Sequence, residues 1–204
     1  MSDIPGVANK GDFDLLLIGI GQSIYEGSLF GRILGFTTRI IDPERIIHSV
    51  KGKDRWFEKL PFEVSTRTVL SKSEVPVGIL LDKNLKKVEK VIIPVFDFSD
   101  AFLIRYAQKL ILNSAAQITI LDANRTINDS ELKESVRALV QYTPNHMNLL
   151  RDQEIGNSIL QDQDLIIISL ASWKKLFETR SKWLTKTPSL LIIYEPSPGL
   201  SSRQ

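Results

Sequence analysis

"DFDLLLIGIG", residues 12 to 21, returns 150 positions later as "DQDLIIISLA", residues 162 to 171. Each copy is D-x-D-L followed by three aliphatic residues, with Asp14 opposite Asp164. Runs such as Leu15 to Ile18 and Leu165 to Ile168 are continuous rather than alternating, which is what a strand covered by helices on both faces requires. A second pair extends the repeat. "EVPVGILLD" (74 to 82) and "TPSLLIIYE" (187 to 195) are both apolar stretches led in by a proline, Pro76 and Pro188. Each half of the chain thus closes on the same two strands, and the expectation is a parallel α/β sheet with two related halves.

Working outward, "KVIIPVF" opens a fresh series. Strand 91 to 96 leads to "SDAFLIRYAQKLILN", with Ser99 as the expected cap and Phe102, Leu103, Tyr106, Leu110 and Ile111 at the stripe spacing of a sheet-packing helix. "QITILDAN" reads as a strand, "NDSELKESVRALVQY" as a helix capped by Asn128 or Asp129, and "HMNLLRD" as a weaker strand. A short helix near 153 to 160, strand 164 to 169, helix 172 to 184 and strand 189 to 194 follow. The order βαβαβαβαβ with right-handed crossovers predicts a five-stranded doubly wound unit of flavodoxin-like proportions. The expected organisation is a partial half at 1–82, a basic linker at 83–90, a complete half at 91–196 and a tail at 197–204. Residues 37 to 73 exceed one minimal crossover, and "DRWFEKL" there offers Trp56, Phe57 and Leu60 as core contacts or a docking surface.

Composition narrows the function. The 204 residues are 43% apolar and 25% charged, and 26 basic against 24 acidic residues leave a net charge of +2, too little to steer the chain to nucleic acid. With no cysteine there is no disulfide, thiolate nucleophile or Cys-containing zinc site. His48 and His146 lack ligand-spaced neighbours, so no metal is expected. G-x-S-x-G, G-x-x-x-x-G-K-[ST] and H-E-x-x-H are all missing, and the chain reads as a non-enzyme.

"VIIPVFDFSDA", the five-strand order and the closing "DLIIIS … WL … PSLLII" resemble the universal stress protein fold. "VPVGILLDKNLKKVEKVIIPVF" is more specific, and resembles the junction between two stress-protein-like halves in the cytosolic C-terminal region of monovalent cation/proton antiporters. That resemblance implies a regulatory domain on the cytoplasmic side of a membrane, joined to a transmembrane antiporter domain of the same polypeptide, and a homodimer. The alternative is a free-standing nucleotide-binding stress protein.

Nucleotide-binding members of that family carry G-x2-G-x9-G-[ST] after the fourth strand. In "DLLLIGIGQSIYEGSLFGRILGF" (14 to 36), Gly21 and Gly31 keep the nine-residue gap, while Gly19 lies one residue too close and Arg32 stands in the hydroxyl position. The resemblance makes Gly19, Gly21, Ser23, Gly31 and Arg32 the candidates for binding the phosphates of an adenine nucleotide. Packing glycines are the plainer reading. The stretch before Asp12 is too short to supply an adenine-holding half, and the second copy has no glycine after its strand. Asp97 and Asp122, at predicted carboxyl strand ends, are ligand-pocket candidates, and Asp100 reads equally as a cap. Lys83, Lys86, Lys87 and Lys90 form the densest basic cluster, a candidate contact for anionic lipid.

Overall fold

Both copies of the D-x-D-L stretch become strands, and they lie in one sheet. A computed structural model describes residues 14–20, 38–41, 60–128, 130–151, 157–179, 181 and 187–196. In chain order the elements are β1 (Leu15–Ile20), β2 (Thr38–Ile41), α1 (Val64–Lys72), β3 (Val77–Leu81), β4 (Lys90–Val95), a 3-10 turn (Phe98–Leu103) running into α2 (Ile104–Ser114), and β5 (Gln117–Asp122). A second 3-10 turn (Thr126–Asn128), α3 (Ser130–Tyr142), β6 (Met147–Arg151), α4 (Asn157–Gln161), β7 (Leu165–Ser169), α5 (Leu170–Glu178) and β8 (Ser189–Tyr194) complete the set.

The eight strands are ordered β2-β1-β3-β8-β7-β4-β5-β6. From β8 outward the complete half reads fifth, fourth, first, second, third, the order of a doubly wound dinucleotide-type sheet within five-stranded, flavodoxin-like proportions. All its neighbours are parallel. The partial half repeats the inner part of this pattern: β3 matches β8, β1 matches β7, and β2 lies parallel to β1 where β4 lies parallel to β7. Because β2 comes after β1 in the chain, the neighbour on this side of β1 is supplied from within the stretch between β1 and β3.

The halves meet at the sheet's antiparallel seam, β3 against β8. Matching Leu15 to Leu165 places Leu16 on Ile166; these pair with Val77 and Leu190 respectively, so Val77 corresponds to Leu190 and Ile79 to Ile192. Ile79 and Ile192 are also directly opposite each other across the seam, and a local two-fold axis passes between them. The prolines mislead by one residue, since superposing Pro76 on Pro188 would set Val77 on Ser189. They precede the strands, whereas the ladder fixes which side chains share a face.

Two apolar layers cover the sheet. Leu15, Leu17, Leu80, Leu191, Ile193, Ile93 and Ile120 face α2 and α3, while Leu16, Ile18, Ile79, Ile192, Ile166 and Ile168 face α1, α4 and α5. Leu103, Tyr106, Ala107 and Leu110 form the fully buried stripe entering and along α2. Each such large side chain contributes about 1.5–3 kcal/mol relative to exposure. The helix stops at Ala115, which turns left-handed at φ 53° and donates its amide to Ile111. Leu60 is buried with the α1 side; Trp56, Phe57 and His48 lie outside the described residues.

Candidate functional site

In such a sheet a ligand crevice opens where neighbouring strands send their chains in opposite directions. Here that point lies between β4, which continues to β5, and β7, which continues to β8. Three segments meet at its carboxyl end: Phe96 to Leu103, the loop after β5, and the start of α5.

The first segment is built as a capping box. Asp97, not Ser99, is the cap; its Oδ1 accepts the Ser99 amide at 3.0 Å, and Asp100 reaches back to accept the Asp97 amide at 3.2 Å. Ser99 loses the capping place because the turn starts at Phe98, two residues earlier than a Ser99 cap would place it. Asp100 also accepts the Phe96 amide at 2.9 Å. Its side chain then crosses the switch point. The Ser169 hydroxyl donates to Oδ1, and the Ser172 hydroxyl lies 2.9 and 2.8 Å from the two carboxylate oxygens. Ser169 caps α5 as well, accepting the Ser172 amide at 3.1 Å. Asp100 is 0% exposed. Two amides and two hydroxyls from separate elements therefore converge on one buried carboxylate, the condition under which a buried polar group is tolerated.

Asp97 and Asp122 have different situations. Asp97 is half-exposed, and the Ser99 amide, then the Lys175 ammonium at 3.2 Å, hold its carboxyl below the usual carboxylate range. Asp122 is buried at the end of β5, accepting the Thr126 amide at 2.7 Å and the Ile127 amide at 3.3 Å. Asn124 donates to the Phe96 carbonyl at 2.9 Å, tying the two loops together. Among the described residues no group of three or more His, Cys, Asp and Glu is placed to hold a metal ion.

Of the nucleotide-phosphate candidates, Gly19 lies in β1, paired with Leu80. Gly21, Ser23, Gly31 and Arg32 lie outside the described residues. The structure therefore brings together Asp97 and Asp100, links them to the Asp122 loop through Asn124, and adds Ser169 and Ser172. Sequence reasoning missed the two serines. The available signal was S-x-x-S at a predicted strand-to-helix junction, the spacing of a capping hydroxyl and the first-turn residue it bonds.

The basic linker is largely engaged within the chain. Lys83 Nζ donates to the Thr187 carbonyl at 2.9 Å and its hydroxyl at 3.0 Å, Lys87 pairs with Glu89 at 2.5 Å, and Lys90 pairs with Asp162 at 2.7 Å. The two D-x-D-L aspartates also differ. Asp164 accepts the Glu89 and Lys90 amides at 2.9 and 3.0 Å, whereas Asp14 meets Lys109 at 3.4 Å.

Comparison with solved structures finds similar chains. The cytoplasmic domain of a prokaryotic cation chloride cotransporter is similar over 88% of this chain and 95% of its own, with a TM-score of 0.50 and 12% identity. A universal stress protein from Archaeoglobus fulgidus DSM 4304 aligns over 93% of this chain and 63% of its own, with a TM-score of 0.45 and 13% identity. No protein-family model matches the sequence, and comparison with curated proteins gives no match. The fold is a doubly wound, mostly parallel α/β sheet made of two related halves that meet at one antiparallel seam. Among the described residues no helix is long and apolar enough to cross a membrane.

Proposed function

We propose that this chain is a regulatory domain on the cytosolic side of a membrane cation transporter, a sodium or other monovalent cation/proton antiporter, with no catalysis of its own. The observation that carries the reading is the fold likeness to a cotransporter's cytoplasmic domain over nearly the whole of both chains. The antiporter assignment rests on the resemblance of "VPVGILLDKNLKKVEKVIIPVF" to the junction in antiporter tails. A domain of this kind acts by population shift, biasing the transport cycle only by the difference in its affinity for two states of the membrane part. The dimer that the reading calls for has to use surfaces other than β3 and β8, which pair with each other. The reading needs no lipid contact: Lys83, Lys87 and Lys90 have partners within the chain.

The test uses the full polypeptide that carries these residues. In proteoliposomes, its cation-dependent proton flux is measured over a range of pH with and without residues 1–204. A shifted activation profile is expected; identical profiles overturn the reading, as does an open reading frame with no membrane spans. The second reading, a nucleotide-binding stress protein, is favoured only by the spacing of Gly21 and Gly31. Calorimetric titration with ATP, ADP and AMP is expected to be flat at millimolar concentration, and phosphate release from ATP to equal the blank. Saturable binding lost in Gly31→Val would establish the second reading instead.

A further inference from the structure

Among the described residues the hydrogen-bond donors to Asp100 are all neutral, and its carboxylate is wholly buried at the switch point of the complete half, where a doubly wound sheet receives a ligand. Its four donors are those an external oxyanion would need: consecutive amides of Phe96 and Asp97 from the turn after β4, and the hydroxyls of Ser169 and Ser172 from the start of α5. Consecutive amides and a helix N-terminus both favour negative charge. The donors come from segments some 70 positions apart in sequence, so the carboxylate also ties the β4 turn to α5.

We infer that Asp100 is a built-in ligand: it fills the anion site of the complete half, closes that half to nucleotide phosphates, and leaves behind a receptor for a small free carboxylate when it is removed. Any ligand-dependent regulation then falls to surfaces outside this switch point, and the complete half serves as a ligand-independent body. The inference rests on the geometry around Asp100 and stands or falls separately from the transporter reading.

The experiment is chemical rescue. Asp100→Gly deletes a methylene and a carboxylate, which together have the shape of acetate. In the isolated chain its Tm is expected to fall well below that of the wild type. Acetate is then expected to raise it with the logarithm of concentration above the Kd, as a ligand specific to the folded state must. Sodium chloride at equal ionic strength and acetamide, which lacks the charge, should not do so, and wild-type Tm should not respond. Asp100→Asn keeps the volume filled and should be destabilised without rescue. Should the glycine variant fail to fold in plain buffer, its refolded yield at rising acetate reads the same property. Equal responses of wild type and variant to acetate, or no folded variant at any acetate concentration, overturn the inference. An independent arm follows the Phe96, Asp97 and Ser172 amide resonances of the wild-type chain with ATP. They should stay in place, and a saturable shift at these amides would show an open site and overturn it.

Discussion

The inner strand pairs of the two halves, β1 with β3 and β7 with β8, share a motif and a fold yet are stabilised differently. Asp164 terminates two amides of the chain entering β4; Asp14, its counterpart, makes a long contact with Lys109 at the surface. The difference lies in the neighbours. Beside β7 runs β4, whose entry brings the Glu89 and Lys90 amides to Asp164, whereas the partner described for Asp14 is an ammonium on α2. At the seam, Gly78 corresponds to Leu191. A Cβ on Gly78 would lie 3.1 Å from Leu191 Cδ1 and 3.2 Å from Leu17 Cδ1, so one leucine fills a space that two symmetry-related leucines would contest. Repetition of a strand sequence specifies strand and depth; the partner at each position is set by what else the topology brings there.

The strongest way to break the asymmetry is to restore the symmetry. Gly78→Leu is expected to destabilise the fold by about 3 kcal/mol through overpacking. Adding Leu191→Gly should return a substantial part of that loss in urea unfolding, because the two positions share one space. A double variant no more stable than Gly78→Leu would show that the space is not shared.

Next in size is the pair of aspartates. Asp164→Ala should cost about 1–2 kcal/mol, since two backbone donors lose their acceptor. Asp14→Ala should stay within about 0.5 kcal/mol, the range of an exposed ion pair. Equal costs in chemical denaturation would remove the distinction between the halves.

The smallest expected effect is a pH dependence confined to the complete half. The Asp97 carboxyl is held below its ordinary value by the Ser99 amide and then by Lys175. A lowered folded value means that the stabilisation is present above the unfolded pKa of about 3.9 and lost as pH falls through the lowered value. Asp97→Asn should therefore flatten the acid limb of the Tm profile, with a change no larger than about 1 kcal/mol because the group is half-exposed. An unaltered acid limb would remove Asp97 from the account.

The strands were legible because buried parallel strands write themselves as continuous aliphatic runs, and Leu165 to Ile168 and Val91 to Ile93 need no distant partner to be recognised. The stripe on α2 was legible for the same local reason. Register was not: the prolines are local markers, while the seam is a pairing between residues more than a hundred positions apart. The site followed that division. Asp97 and Asp122 could be placed at strand ends from local pattern, but the partners of Asp100 at the junction of β7 and α5 lie 69 and 72 positions away. The linker lysines looked like a free basic patch for the same reason, since Lys83 meets Thr187 and Lys90 meets Asp162 only after folding.

The seam also sets a schedule for the chain as it is made. β3 is complete at Leu81, but the strand that covers its inner edge is the last of all, Ser189–Tyr194. At about 5–20 residues per second, the roughly 110 intervening residues keep that apolar edge waiting for some 6–20 s on the ribosome. β7, finished earlier than β8, waits with it for a shorter time, since β8 is the neighbour of both. A message truncated before Ser189 therefore releases a chain with two open apolar strand edges, the kind of surface that pairs with other chains.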